Sequence, residues 1–115
     1  MIVKKMPILQ GFPDFETVKF FTGKFFQKYN FTPVFYDIET TGLSRNSTYL
    51  YLIGAVGIED ETWNFYQWMA ENASEEETIL RIFSQFLQQY NLMISYNGER
   101  FDQPYLEARY EKLSL

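Results

Sequence analysis

The sequence predicts one α/β domain, and three observations lead there. Apolar runs of strand length occupy residues 33–38, 49–58 and 62–69, and from Ser74 onward the apolar spacing changes to the helical period. A short apolar run and a second helical pattern follow, so one early helix precedes the order β-β-β-α-β-α. The chain has 115 residues, 46% of them hydrophobic, with 12 Phe, 9 Tyr and 2 Trp. That is material for the core of one domain and too little chain for two.

Composition removes several kinds of chemistry. With no Cys and no His there is no disulfide framework, thiolate nucleophile, Cys/His zinc site or Ser-His-Asp triad. Catalysis falls to carboxylates, hydroxyls, Tyr, Lys or Arg, helped by a hard metal. No run of about 18 apolar residues is present to span a membrane. The start, Met1 to Pro7, lacks the apolar stretch of a secretory signal, so a cytoplasmic protein is expected.

The net charge of −5 is unevenly spread: residues 1–31 carry +3 and residues 32–115 carry −8. An acidic body is a poor binder of nucleic acid by phosphate neutralisation alone. Clustered acids can instead hold a divalent cation that bridges to phosphate. Most of these acids simply solvate the surface.

Residues 1–31 form a basic, Phe-rich segment with one predicted helix. Gly11 to Asp14 reads as a turn with Asp14 as N-cap. Phe15, Val18, Phe21, Phe25, Phe26 and Tyr29 share a face, while Lys19, Lys24 and Lys28 lie mostly opposite and Gly23 weakens the helix. The helix either docks on the core or serves as a basic, partner-binding arm, with Phe20 exposed on its polar side unless a partner covers it.

Residues 32–115 hold the α/β unit. Pro33 to Ile38 reads as a buried strand ending in acids, followed by a Thr-Thr-Gly turn with Gly42 at positive φ. Tyr49 to Ile58 is a second strand, Glu59-Asp60-Glu61 a short acidic turn, and Thr62 to Met69 a third, together an antiparallel hairpin. Ser74-Glu75-Glu76-Glu77 has the capping-box pattern and opens a helix that buries Ile79, Ile82, Phe83, Phe86, Leu87 and Tyr90. Leu92 to Tyr96 is a short strand, Asn97-Gly98 a turn, and Pro104 to Leu113 a last helix.

Two constellations carry chemistry. Asp37 and Glu39 stand two apart at a strand end, so their carboxylates share a face. Two anions held so close repel unless a cation sits between them, and Mg²⁺ or Mn²⁺ matches their hard oxygen donors. Thr40-Thr41-Gly42-Leu43 follows, a turn with hydroxyls, N–H groups and one apolar side chain that can hold a terminal nucleotide. The second constellation is Ser95-Tyr96-Asn97-Gly98-Glu99-Arg100-Phe101-Asp102-Gln103-Pro104. There Asp102 reads either as the N-cap of the last helix or as a third metal carboxylate.

The segment Phe35-Tyr36-Asp37-Ile38-Glu39-Thr40-Thr41-Gly42-Leu43 resembles the first motif of the DEDD superfamily of 3′–5′ exonucleases. The segment Ser95 to Pro104 resembles its second, in the form of the YprB-like branch of ribonuclease H-like proteins. The resemblance covers residues 33–113. It implies a ribonuclease H-like mixed sheet, three antiparallel strands and then parallel strands separated by helices, and a metal-dependent exonuclease acting on single-stranded DNA or RNA. It implies that Asp37, Glu39 and Asp102 are catalytic metal ligands for Mg²⁺ or Mn²⁺ in a two-metal mechanism. Thr40, Thr41, Gly42 and Leu43 then lie along the terminal nucleotide, and Asn97 and Phe101 support or line the site.

The third motif of that superfamily, a Tyr or His four residues before an Asp on a helix after one more strand, does not occur before Lys112-Leu113-Ser114-Leu115. Tyr105 is followed by Arg109 where the acid belongs. The resemblance is therefore to a fragment or truncated relative lacking the C-terminal strand and helix. The open parallel edge of its sheet invites dimerisation or pairing with a further piece. A second expectation is a non-catalytic nucleic-acid-binding or assembly module on the same fold.

Overall fold

A computed structural model describes residues 1–7, 32–44, 47–59, 62–95 and 101–115. Its strands are β1 (Ile2–Pro7), β2 (Pro33–Thr40), β3 (Leu50–Glu59), β4 (Thr62–Met69) and β5 (Leu92–Ile94), and its helices α1 (Glu76–Leu87) and α2 (Gln103–Lys112). They form one five-stranded sheet in the order β1-β4-β3-β2-β5. The pairs β1/β4, β4/β3 and β3/β2 are antiparallel, and β2/β5 is parallel. A parallel neighbour needs a crossover, and α1 supplies it between β4 and β5.

The register explains which face is core. Tyr36 pairs with Ala55 and Ala55 with Tyr66; Ile38 pairs with Ile53 and Ile53 with Trp68. Directly paired residues share a face, and all six of these are buried. Ile79, Leu80, Phe83 and Phe86 of α1 and Tyr105 and Leu106 of α2 close over them. The Phe86 ring lies 4.6 Å from that of Tyr66 and 4.9 Å from that of Trp68, the spacing of tilted aromatic pairs. By the same alternation, Phe35, Asp37 and Glu39 project from the opposite face of β2.

Most sequence-predicted elements appear within one or two residues of their expected ends, including the β3–β4 hairpin, which closes at Glu59 opposite Thr62. Four points differ or fall elsewhere. The first is β1, an edge strand unforeseen in the sequence, which makes the antiparallel part of the sheet four strands rather than three. All six of its residues are exposed, so no inside–outside alternation marks it.

The capping box is the second. Ser74 does not cap α1, whose N-cap position is Glu75 without a side-chain capping bond; Asn72 caps the turn before it, its Oδ1 accepting from the Ser74 N–H at 3.1 Å and from the Ser74 hydroxyl. Ser74 is thus a donor, and Glu77 is engaged by Arg81 one turn on, at 2.8 Å. A short 3₁₀ turn, Ala73–Glu75, precedes α1 in consequence.

Third, Gly42 does not adopt the left-handed φ expected of it; glycine is required because an added Cβ would sit 2.8 Å from Thr48 Cγ2. Finally, the helix over 15–29 with Phe20, and the turn at Asn97 and Gly98, lie outside the described residues. Among the described residues, no helix is long and apolar enough to cross a membrane.

Candidate functional site

Asp37 and Glu39 leave the end of β2 on the face away from the helices, and both are exposed. Asp37 stands opposite Gly54 of β3. With no side chain at Gly54, the two carboxylates border an open groove of about 350 Å³ that also reaches Phe65 and Gln67 of β4. The neighbouring core residues Tyr36 and Ile38 hold this strand end in place from the other face.

Asp102 comes from a different part of the chain and is only 3% exposed. It occupies the N-cap position of α2 yet makes no capping hydrogen bond. Its Oδ2 accepts instead from the Ser95 hydroxyl just beyond β5, at 2.7 Å. Asp102 thus holds the cap position that the sequence suggested without making the capping bond.

Burial pushes the Asp102 carboxyl above the usual carboxylate range; the Ser95 hydrogen bond opposes this, and Asp37 and then Glu39 add to it. The electrostatics thus bring the first-motif acids to bear on the second-motif acid. Among the described residues no Lys or Arg forms an ion pair with any of the three. Neighbouring carboxylates with no cation paired to them among the described residues are donors of the kind a hard divalent ion takes. Nor do the described side chains gather into a group of three acids already placed around an ion. The donor chemistry fits Mg²⁺ or Mn²⁺, with Asp37 and Glu39 exposed and Asp102 buried.

The turn after the acids is tied down from within. The Thr40 hydroxyl donates to the Gly42 carbonyl at 2.6 Å. The Thr41 N–H donates to the Tyr49 carbonyl at 3.0 Å, and the Tyr49 N–H donates to the Thr41 hydroxyl oxygen at 3.0 Å. Both hydroxyls are thus engaged by the turn itself, and the side chain presented to solvent is Leu43, 84% exposed.

Phe101 is half-buried, its ring 5.5 Å from that of Tyr105, so it braces the start of α2. Asn97 lies outside the described residues.

Several residues near the site carried no sequence signal of a role. The Tyr36 hydroxyl donates to Gln103 of α2 at 3.1 Å, and its pKa is pushed up to about 12 by burial, then by Asp102 and Glu107. Ser95 lies inside the second motif, but a serine seven residues before an aspartate announces no partnership. Thr48 and Tyr105, hydroxyl to hydroxyl at 2.7 Å, are 57 residues apart in sequence and only the fold unites them.

A family model described as the RNase H superfamily matches residues 34–115, from the start of β2 through the end of α2 and including all three acids. Comparison with curated proteins finds no match. The matched span takes in most of the 115 residues and every element of the sheet but β1, and the sheet has the mixed architecture such a domain requires; the chain belongs to the RNase H superfamily.

Proposed function

We propose that residues 32–115 form a DEDD-type 3′–5′ exonuclease domain of the YprB-like branch, preceded by the basic, Phe-rich segment 1–31, and that it hydrolyses phosphodiester bonds at the 3′ end of single-stranded DNA or RNA. Members of the RNase H superfamily are generally nucleases. The observation that carries the reading is the burial of Asp102 in the field of Asp37 and Glu39, acids of two motifs far apart in sequence, with no described Lys or Arg paired to them.

In this reading Asp37, Glu39 and Asp102 hold Mg²⁺ or Mn²⁺. Bound there, the metal supplies an activated water and neutralises charge on the leaving 3′ oxygen, as two-metal phosphodiester hydrolysis requires. The chain's own residues do the rest. Ser95 fixes one oxygen of Asp102 by hydrogen bonding. The Thr40–Leu43 turn, stiffened by its internal hydrogen bonds, lies along the terminal nucleotide, with exposed Leu43 against the base. Asn97 and Phe101 support or line the site.

These residues hold three of the four acids of the DEDD pattern and not its Tyr or His base. Hydrolysis by the isolated chain is therefore weak, because proton removal from the attacking water lacks its usual acceptor. The second reading, a non-catalytic nucleic-acid-binding module, is favoured by the absence of a ready three-acid cluster among the described residues.

Incubating labelled single-stranded DNA and RNA with Mn²⁺, wild type beside Asp37→Ala, separates the two. Slow shortening from the 3′ end, abolished in the variant, supports the nuclease. Digestion that Asp37→Ala leaves untouched sinks the site assignment, and binding without digestion favours the module.

A further inference from the structure

Three successive residues, Thr48, Tyr49 and Leu50, are stitched between the site turn and α2. Tyr49 exchanges two hydrogen bonds with Thr41, as described above. The Leu50 N–H donates to Glu76 Oε2 at 2.7 Å, and that oxygen also accepts from Arg109 Nε of α2 at 2.8 Å. Thr48 joins both sides at once. Its hydroxyl donates to the Ser44 carbonyl, at the end of the turn, and contacts the hydroxyl of fully buried Tyr105 at 2.7 Å. A threonine hydroxyl has one proton. With that proton on Ser44, Tyr105 must be the donor to Thr48, so the chain of bonds runs from Tyr105 to Thr48 to the Ser44 carbonyl.

Tyr105 and Arg109 are one helical turn apart and so lie on one face of α2. Asp102 heads the same helix, three residues before Tyr105. The missing Cβ at Gly42 is what lets the Thr48 methyl sit against the turn. Any rotation of α2 that moves Asp102 therefore pulls on Thr48, and through it on Ser44 and Leu43.

We propose that Tyr105 and Thr48 are positioning residues that set the distance between the Asp102 carboxylate and the Thr41–Leu43 turn, and so align the base of the terminal nucleotide with the acids. The positioning role rests on the nuclease-type reading of the site; the relay of hydrogen bonds does not. Neither residue is among the proposed metal ligands or in the turn proposed to lie along the nucleotide, so metal affinity is expected to be independent of the relay and nucleotide affinity to depend on it.

The test compares wild type with Thr48→Val, Thr48→Ser and Tyr105→Phe in the full chain. Calorimetry with Mn²⁺ alone, and then with deoxythymidine 5′-monophosphate in the presence of Mn²⁺, reads the positioning role. Mn²⁺ affinity is expected within about twofold of wild type throughout, while nucleotide affinity falls about fivefold in Thr48→Val and Tyr105→Phe, the equivalent of one hydrogen bond. Thr48→Ser keeps the hydroxyl and is expected to bind like wild type. A general loss of stability would not separate valine from serine in this way.

Amide exchange at Thr41, whose N–H bonds the Tyr49 carbonyl, reads the relay without any ligand. Faster exchange in Thr48→Val but not in Thr48→Ser supports it; equal exchange in both overturns it. A wild type that binds no Mn²⁺ sinks the nuclease reading and the positioning role with it. A wild type that binds Mn²⁺ and nucleotide, with variants that bind both equally well, overturns the positioning role alone.

Discussion

A carboxylate that is 3% exposed, has one hydroxyl donor and faces two further acids costs the fold free energy when it is ionised. The sign of that cost can be worked out. The folded pKa of Asp102 is raised above its ordinary value of 3.8, by burial first and then by Asp37 and Glu39. The folded state therefore holds the proton more tightly than the unfolded chain, and stability is lost as pH rises from 3.8 through the raised folded value. Asp102→Asn removes the charge and keeps the shape. At pH 7 without metal it is expected to raise the melting temperature by about 4 °C, the shift roughly 1 kcal/mol gives a domain of this size. In acid, where the wild-type group is protonated anyway, the two melting curves converge. A variant that melts lower than wild type at pH 7 would mean that a cation already compensates Asp102. Of these features, the same-face placement of Asp37 and Glu39 was legible from strand alternation alone. The burial of Asp102 was not, because it depends on how α2 lies against the end of β5.

At the scale of elements, α1 and α2 are joined by the buried pair Glu76–Arg109, whose carboxylate also caps the Leu50 N–H. Removing one member strands the other's charge in the core, which costs about 3–5 kcal/mol. Arg109→Met is thus expected to lower the urea midpoint far more than Arg81→Met, since the Arg81–Glu77 pair is exposed and worth under about 1 kcal/mol. Equal effects of the two changes would contradict the clamp.

The edge strand β1 hangs on a different device. Lys5 Nζ reaches Glu59 at 2.9 Å and lies over the Tyr66 ring, and the Tyr66 hydroxyl donates to the same carboxylate at 2.6 Å. Tyr66 and then Lys5 hold the Glu59 carboxyl below its ordinary value of 4.5. Its contribution is therefore complete above pH 4.5 and lost as pH falls through the lower folded value. Amide protection in Ile2–Pro7 is expected to fade in that acid window while protection in α1 persists; simultaneous loss would refute a separate anchor. The helix α1 was legible because Ile79, Phe83 and Phe86 repeat at helical spacing. The strand β1 was not, because an exposed edge strand is specified by its partner β4 and not by a pattern of its own.

For the whole molecule, the sheet places β2 between β3 and β5, with β5 at one edge and β1 at the other. The acids leave β2 beside the parallel partner, and the hydrogen-bonded pair Ser95 and Asp102 lies near Asp37 beyond the end of that strand pair. The order of elements made this mixed sheet legible from the sequence, since a crossover helix between strands implies parallel pairing. The ties from Thr48, Tyr105 and Glu76 were not legible, because each joins residues that only the completed fold brings together. A net charge of −5 disfavours phosphate by simple charge attraction, so the proposed function requires a cation, held in that reading by Asp37, Glu39 and Asp102, to bridge the two.

That requirement is the central claim, and calorimetric titration with Mn²⁺ tests it most directly, using wild type, Asp37→Ala and Asp102→Asn. The carboxylate site predicts saturable binding to wild type and its loss in both variants. Titration curves that are flat for all three proteins, or unchanged by either substitution, would contradict it.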